Sequence, residues 1–209
     1  GTLAAPAGRL VLSGTKLALP GDLRIDAIDA RARLDRGLDG PFELALEIDR
    51  LGSSARGSDG KAQPDWLASV HVDAKGSRAR HRLDAALSTP PREGVADTLR
   101  VALEGGLGKD EPPRWSGRLL AFDTSGRFPA RLKAPATLEL GADRVRLGAA
   151  EIAAGNKGRL RLQEIAWSPA QSVLRGDLAG LVLELEPPRR DGRPRSNADP
   201  MTLSARWEL

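Results

Sequence analysis

The sequence predicts an all-β fold, a long antiparallel up-and-down sheet that must close into a barrel, split into two layers or curl into a U-shaped trough with an aliphatic interior. Three observations carry the sheet. Apolar and polar residues alternate through run after run, as in GRLRLQEIAW from Gly158, and period two marks a sheet with one dry face and one wet one. Glycine and Asx clusters punctuate the runs and supply the positive φ that tight hairpins need. Aromatics make up only 3% of the 209 residues, with no Tyr and a single Met. The dry face is therefore built from Leu, Val, Ile and Ala.

Taken in order, a first strand covers Arg9 to Leu12, and Pro20-Gly21-Asp22 forms the next turn. Leu44, Leu46 and Ile48 then alternate with Glu43, Glu47 and Asp49, and Val70, Val72 and Ala74 alternate with His71 and Asp73. Leu83, Ala85 and Leu87 share one phase, as do Leu99, Val101 and Leu103. The pattern continues through Leu138 and Leu140, Val145 and Leu147, Leu160 and Leu162, Leu183 and Leu185, and ends with Leu203, Ala205 and Trp207. Turns are expected at Ser58-Asp59-Gly60, Lys75-Gly76-Ser77, Thr124-Ser125-Gly126, Gly141-Ala142-Asp143 and Gly155-Asn156-Lys157-Gly158. Short connections pair consecutive strands antiparallel. One competing reading makes Gly94 to Gly106 a short helix, since Val95, Leu99 and Ala102 also fit helical spacing.

About a dozen strands result, more than an open sheet carries without curling or splitting. At ~4.8 Å per step the stack would be on the order of 60 Å long. A barrel, a sandwich or a rolled trough would each solve the problem. Residues 189–200, rich in Arg, Asp, Gly and Pro, read as an exposed loop, and Leu51 to Pro64 read similarly. Neither marks a domain boundary, so residues 1–209 form one sheet segment. Gly1 stands where an initiator Met would, which suggests a segment excised from a longer chain, with targeting signal and anchor outside it.

Composition excludes several functions. There is no Cys, so disulfides and thiolate metal sites are ruled out. The net charge is +4, but 32 basic residues are interleaved with 28 acidic ones. That makes a mixed soluble surface, unlike the basic stripe and aromatic platforms of nucleic-acid binders. No apolar run approaches the roughly 20 residues of a membrane-spanning helix.

A search for chemistry finds no enzyme. The two histidines, His71 and His81, lack partners at metal-binding spacing; His71 reads as solvent-facing and His81 as satisfied by a neighbour. Ser13-Gly14-Thr15-Lys16 spells S-x-x-K, but it follows a strand instead of opening a helix, and no companion motif comes later. Gly155 to Gly158 is a hairpin turn, not a phosphate loop. Acidic residues alternating with Leu are the wet face of a sheet. No catalytic residue, metal site or cofactor is expected.

From Trp115 onward the chain acquires a pattern: Trp115-x-Gly117, the Asp123-x-x-Gly126 turn, Leu132 with Pro135-Ala136, Gly158-Arg159-Leu160, Trp167-x-Pro169, and Arg175-Gly176 with Gly180-Leu181. In this order they resemble the periplasmic region of the TamB family, the inner-membrane-anchored subunit of the translocation and assembly module of Gram-negative bacteria. The match covers roughly residues 110–187, and GRLVLSGTKLALPGDLRIDAIDARARLD upstream has the same character. The resemblance implies a β-taco, a trough related to AsmA-like and bridge-like lipid transfer proteins. It also implies a periplasmic location, phospholipid acyl chains as cargo, and an outer-membrane barrel of the BAM superfamily as partner of the full-length protein.

On that reading the segment is a conduit for phospholipid between inner and outer membranes. The groove would be lined by Leu44, Leu46, Ile48, Val70, Val72, Leu83, Leu87, Leu138, Leu140, Leu160, Leu162, Leu183 and Leu185. A polar substitution such as Leu162→Asp should block passage. One alternative is a scaffold or chaperone for outer-membrane β-barrel assembly that takes an incoming strand at a sheet edge. Another is a sandwich-type binding module whose apolar faces pack on each other without cargo. A carbohydrate-binding sandwich fits poorly, because Tyr and Trp clusters for sugar stacking are missing.

Overall fold

The computed structural model describes residues 7–37, 39–55, 60, 63–109, 111–183 and 201–208. Within them the chain is a single antiparallel sheet with no helix. Its strands are β1 (Gly8–Leu19), β2 (Leu23–Leu34), β3 (Phe42–Ser53), β4 (Leu67–Gly76), β5 (His81–Ser88), β6 (Thr98–Leu107) and β7 (Trp115–Ser125). They continue as β8 (Ala130–Leu132), β9 (Ala136–Gly141), β10 (Arg144–Leu147), β11 (Ala150–Ala154), β12 (Gly158–Trp167), β13 (Ser172–Leu183) and β14 (Met201–Glu208).

The pairing is a plain meander once two interruptions are recognised. β8 and β9 both pair with β7, and β10 and β11 both pair with β12. Each couple is thus one rung broken in the middle, at residues 133–135 and at 148–149. Fourteen segments therefore make twelve rungs, with β1 and β14 at the two edges. At ~4.8 Å per step, the twelve rungs span ~50 Å.

The sheet curls, and the irregularities that bend it are local. Bulges interrupt the register at Ala102/Leu103, Leu162/Glu164 and Leu178/Leu181, and bulges bend a strand and increase its twist. In β1 and β3 the positive-φ residues Lys16 (φ 54°) and Arg50 (φ 48°) change the phase of alternation. Beyond Lys16 the side chain of Leu17 lies over Gly14, so Leu17 returns to the apolar face although it stands two positions from Thr15 and strict alternation would give both the same face.

The all-β, up-and-down sheet expected from the sequence is what the chain forms, and Gly94 to Gly106 is strand and turn instead of helix. Two local expectations are corrected. Ser13 to Lys16 do not follow a short strand as a turn; they lie inside the twelve-residue β1, since Gly14 in extended conformation still pairs with Ile28. Leu51 to Ser53 are not loop but the end of β3, where Gly52 and Ser53 are buried. Their burial comes from Asp65, whose backbone and carboxylate close over Gly52. Residues 189–200 lie outside the described residues.

Candidate functional site: an open aliphatic face

Directly opposed residues in antiparallel strands point to the same face, so the register alone maps the site. Leu12, Ala30, Leu46, Val72, Ala85, Val101 and Phe122 are successive partners from β1 to β7. Beside them run Leu10, Ala32, Leu44, Ala74, Leu83, Leu103, Leu119 and Ala136. On the other flank Ile28, Ile48, Val70, Leu87 and Leu99 follow the same line. The face continues through Leu132, Ile152, Leu160, Leu178 and Ala205, and through Leu140, Val145 and Trp167.

The expected lining residues Leu44, Leu46, Ile48, Val70, Val72, Leu83, Leu87, Leu138, Leu140, Leu160 and Leu162 therefore share one continuous surface. Leu138 joins it as the partner of Gly117 and Leu147. Leu183 pairs with Met201 in the backbone, while its side chain and the whole of Leu185 lie outside the described residues.

No second layer covers this surface among the described residues. Packing of the apolar faces on each other would bury large aliphatic side chains, and among the described residues none is fully buried. The buried apolar residues among those described are Ile25, Ala74, Ala102, Leu132, Ala136 and Ala150, only two of them larger than alanine. Leu10 is 62% exposed and Leu44 38%. A compact patch forms where the rungs break: Leu132, Ala136 and Ala150 gather Leu119, Phe122, Leu147, Ile152 and Leu162 around them.

The opposite face is a chequerboard of charge. Cross-strand and same-strand pairs include Arg82 with Asp84 at 2.7 Å, Arg175 with Glu208 at 2.9 Å and Arg161 with Glu151 at 3.7 Å. His71 lies here as expected, exposed, 2.5 Å from Asp73 and 3.5 Å from Glu47. A hollow of ≈ 900 Å³ over β1 to β5 is lined largely by this face, with Arg9, Arg33 and Lys75 set against Glu43 and Asp73. Its mixed signs give it no preference for an ion of either charge.

Two carboxylates in this layer titrate below the ordinary range. The Arg82 side chain hydrogen-bonds Asp84 and holds its pKa down. Arg127 does the same to Asp97 through its guanidinium and then its backbone N–H. Because these folded pKa values lie below the unfolded ones, their contribution is fully present above the ordinary carboxylate pKa of about 4 and is lost as pH falls through the folded values. Thermal unfolding followed from pH 7 to pH 2 is expected to show the melting temperature falling below about pH 4. Asp97→Asn should flatten that fall.

At one end of the strands the aliphatic face changes character, a feature the period-two reading missed. Trp115 lies flat over Gly105 and Gly117, its ring too close for either to carry a Cβ. Its indole N–H donates to His81 Nε2 at 2.8 Å, and His81 Nδ1 lies 3.0 Å from the Ser77 carbonyl. Indole only donates and a carbonyl only accepts, so the hydrogen bonds fix His81 as the neutral Nδ1–H tautomer. The Phe42 ring approaches His81 to 5.8 Å across Gly76. Aromatic side chains filling the space over strand glycines stabilise sheets in this way. Trp115→Phe is expected to cost about 1 kcal/mol, and ¹⁵N NMR of His81 would show the loss of its fixed tautomer.

Among the described residues no cluster of His, Cys, Asp or Glu is arranged to hold a metal, and no helix is long and apolar enough to cross a membrane. No family model, curated protein or solved structure matches the chain.

Proposed function

We propose that the chain is a segment of a hydrophobic trough that conducts phospholipid between the inner and outer membranes, as part of a translocation and assembly module in the periplasm. One observation carries this reading: among the described residues an aliphatic face runs across all twelve rungs and none of its large side chains is fully buried. An apolar surface of this extent costs free energy in water and calls for an apolar occupant. Acyl chains suit it, since each buried methylene contributes about 0.8 kcal/mol. Leu, Val, Ile and Ala present no hydrogen bonds that would fix the cargo in one register, so it can slide. The order of turns and strands from Trp115 to Leu181 that resembles the TamB family supports the same reading. In the test, the purified chain is mixed with liposomes, re-isolated and assayed for co-purifying phospholipid. The wild type should retain lipid; a Leu46→Asp/Leu83→Asp variant that still folds should not. Equal retention by the two would overturn the proposal.

A specific observation favours the scaffold reading as second. In β1, the edge of the described sheet, Leu10, Val11 and Leu12 are 62%, 54% and 52% exposed, so an apolar stretch lies in its first half. It also lacks proline and has its one positive-φ residue only at Lys16. Its first half thus has little of what protects an edge from pairing, and an incoming outer-membrane strand could add there. Under this reading Val11→Pro abolishes client binding, and under the conduit reading it leaves lipid retention intact.

A further inference from the structure

Single exposed apolar side chains are ordinary on a protein surface, but in the loops of this chain they are confined to one end of the strands. Among the described residues, the exposed large apolar side chains outside a strand are Trp66, Val95 and Phe128, at 50%, 42% and 78%. They belong to the β3–β4, β5–β6 and β7–β8 connections, which alternate with the others in the meander and so share one end. In the connections at the opposite end the described residues are charged or polar, or are Gly, Ala and Pro. Trp167 and Leu140, exposed nearer that end, lie within strands on the aliphatic face.

Hydrogen bonds hold each of the three tips. Arg92 and Val95 exchange backbone bonds at 2.9 and 3.0 Å around Glu93 and Gly94, both at positive φ, the geometry of a tight type I′ turn. Trp66 N–H donates to the Leu51 carbonyl at 2.8 Å, and the Phe128 carbonyl accepts from Thr124 Oγ1 at 2.6 Å. These groups are satisfied within the protein, so the tips can leave bulk water at little cost in lost hydrogen bonds. Phe128 is also continuous with the aliphatic face. It lines a hollow of ≈ 220 Å³ together with Leu87, Leu99 and Thr124, which are successive partners in the register.

Two rungs separate each tip from the next, a spacing of ~10 Å. Together the three side chains can bury on the order of 300 Å², far below the ~800 Å² per partner of a stable protein–protein interface. A fluid bilayer accepts such separate anchors, and the amphipathic ring of Trp66 favours the headgroup level. We propose that this end of the strands seats on a phospholipid bilayer, with Trp66, Val95 and Phe128 reaching the boundary between headgroups and acyl chains. The proposal requires no lipid in the trough.

The test is co-flotation with phosphatidylcholine vesicles. The wild type should float with them, and Trp66→Ser/Val95→Ser/Phe128→Ser should bind more than about tenfold more weakly with an unchanged melting temperature. Leu46→Asp/Leu83→Asp, altered on the aliphatic face, should float like the wild type even where it retains no lipid, which separates this proposal from the trough reading. Its failure to float would assign vesicle binding to the aliphatic face and overturn the proposal. The chain has no Cys, so one environment-sensitive dye can be attached at Phe128→Cys or, at the opposite end, at the exposed turn residue Ala142→Cys. Vesicles should blue-shift the dye at the first position and not at the second, a comparison that decides even if the triple variant is destabilised. No flotation of the wild type, equal flotation of the triple variant, or the same dye response at both positions overturns the proposal. So does a wild-type dimer that the triple variant abolishes without vesicle binding, an outcome that assigns the tips to a second copy of the chain.

Discussion

Replacing Gly106 by alanine is expected to lower the melting temperature by about 6–12 °C, the largest stability change we predict at a single glycine. A Cβ built there would stand 1.8 Å from the Ala79 carbonyl oxygen and 2.4 Å from its carbon. Both are backbone atoms of the β4–β5 loop, so no side chain can swing aside. The loop must move, and the bond from Leu107 N–H to the Arg78 carbonyl at 2.8 Å goes with it. Overpacking of this kind costs about 3 kcal/mol, and about 2–4 °C per kcal/mol is usual for a domain of this length. Gly8→Ala is the control, since nothing lies within 4 Å of the added atom. Calorimetry on the two variants separates a close approach from a general cost of losing glycine.

The second large effect separates an open face from a packed one. Leu44→Asp is expected to leave the fold nearly as stable as the wild type, with a melting temperature lowered by less than about 3 °C, while lipid retention falls about tenfold. Leu44 is 38% exposed with no layer above it, so the carboxylate keeps its water. Leu132→Asp should behave in the opposite way. Leu132 is 9% exposed at the centre of the compact patch, and a buried unpaired charge there is expected to cost more than about 4 kcal/mol. A protein whose apolar face were a core throughout would lose stability alike at both positions. The same contrast makes Leu162→Asp an ambiguous probe of passage, because Leu162 packs on that patch and its loss would disturb folding as well.

Why the sheet was legible follows from how it is built. With every rung bonded to the next in sequence, period-two alternation carries the face, and the turn formers carry the order; Ala142-Asp143 and Gly155-Asn156-Lys157 fall between the strands they separate. Leu44, Leu46, Val70, Val72, Leu83 and Leu160 could be placed on one surface from phase alone, since register in a meander is set by the turns. What alternation cannot show is a change of phase. Lys16 and Arg50 adopt positive φ inside strands, and no residue-type rule picks out a lysine or an arginine for that. Nor could it show that β8 and β9 are one rung, because the break at Lys133 to Pro135 reads as an ordinary turn. The aromatic strand end was hidden for another reason. Phe42, His81 and Trp115 meet across strands, and the only local signal was glycine where a strand wants a side chain, at Gly76, Gly105 and Gly117.

Whether the aliphatic face carries lipid is tested most directly by photocrosslinking in cells, with the probe at Leu44 and, as control, at Glu43. The two are adjacent in β3 and point to opposite faces, Leu44 toward Ala32 and Ala74 and Glu43 toward Arg33 and Lys75. Phospholipid adducts are expected at Leu44 and none at Glu43. No lipid at Leu44, or equal capture at both positions, would contradict the conduit reading.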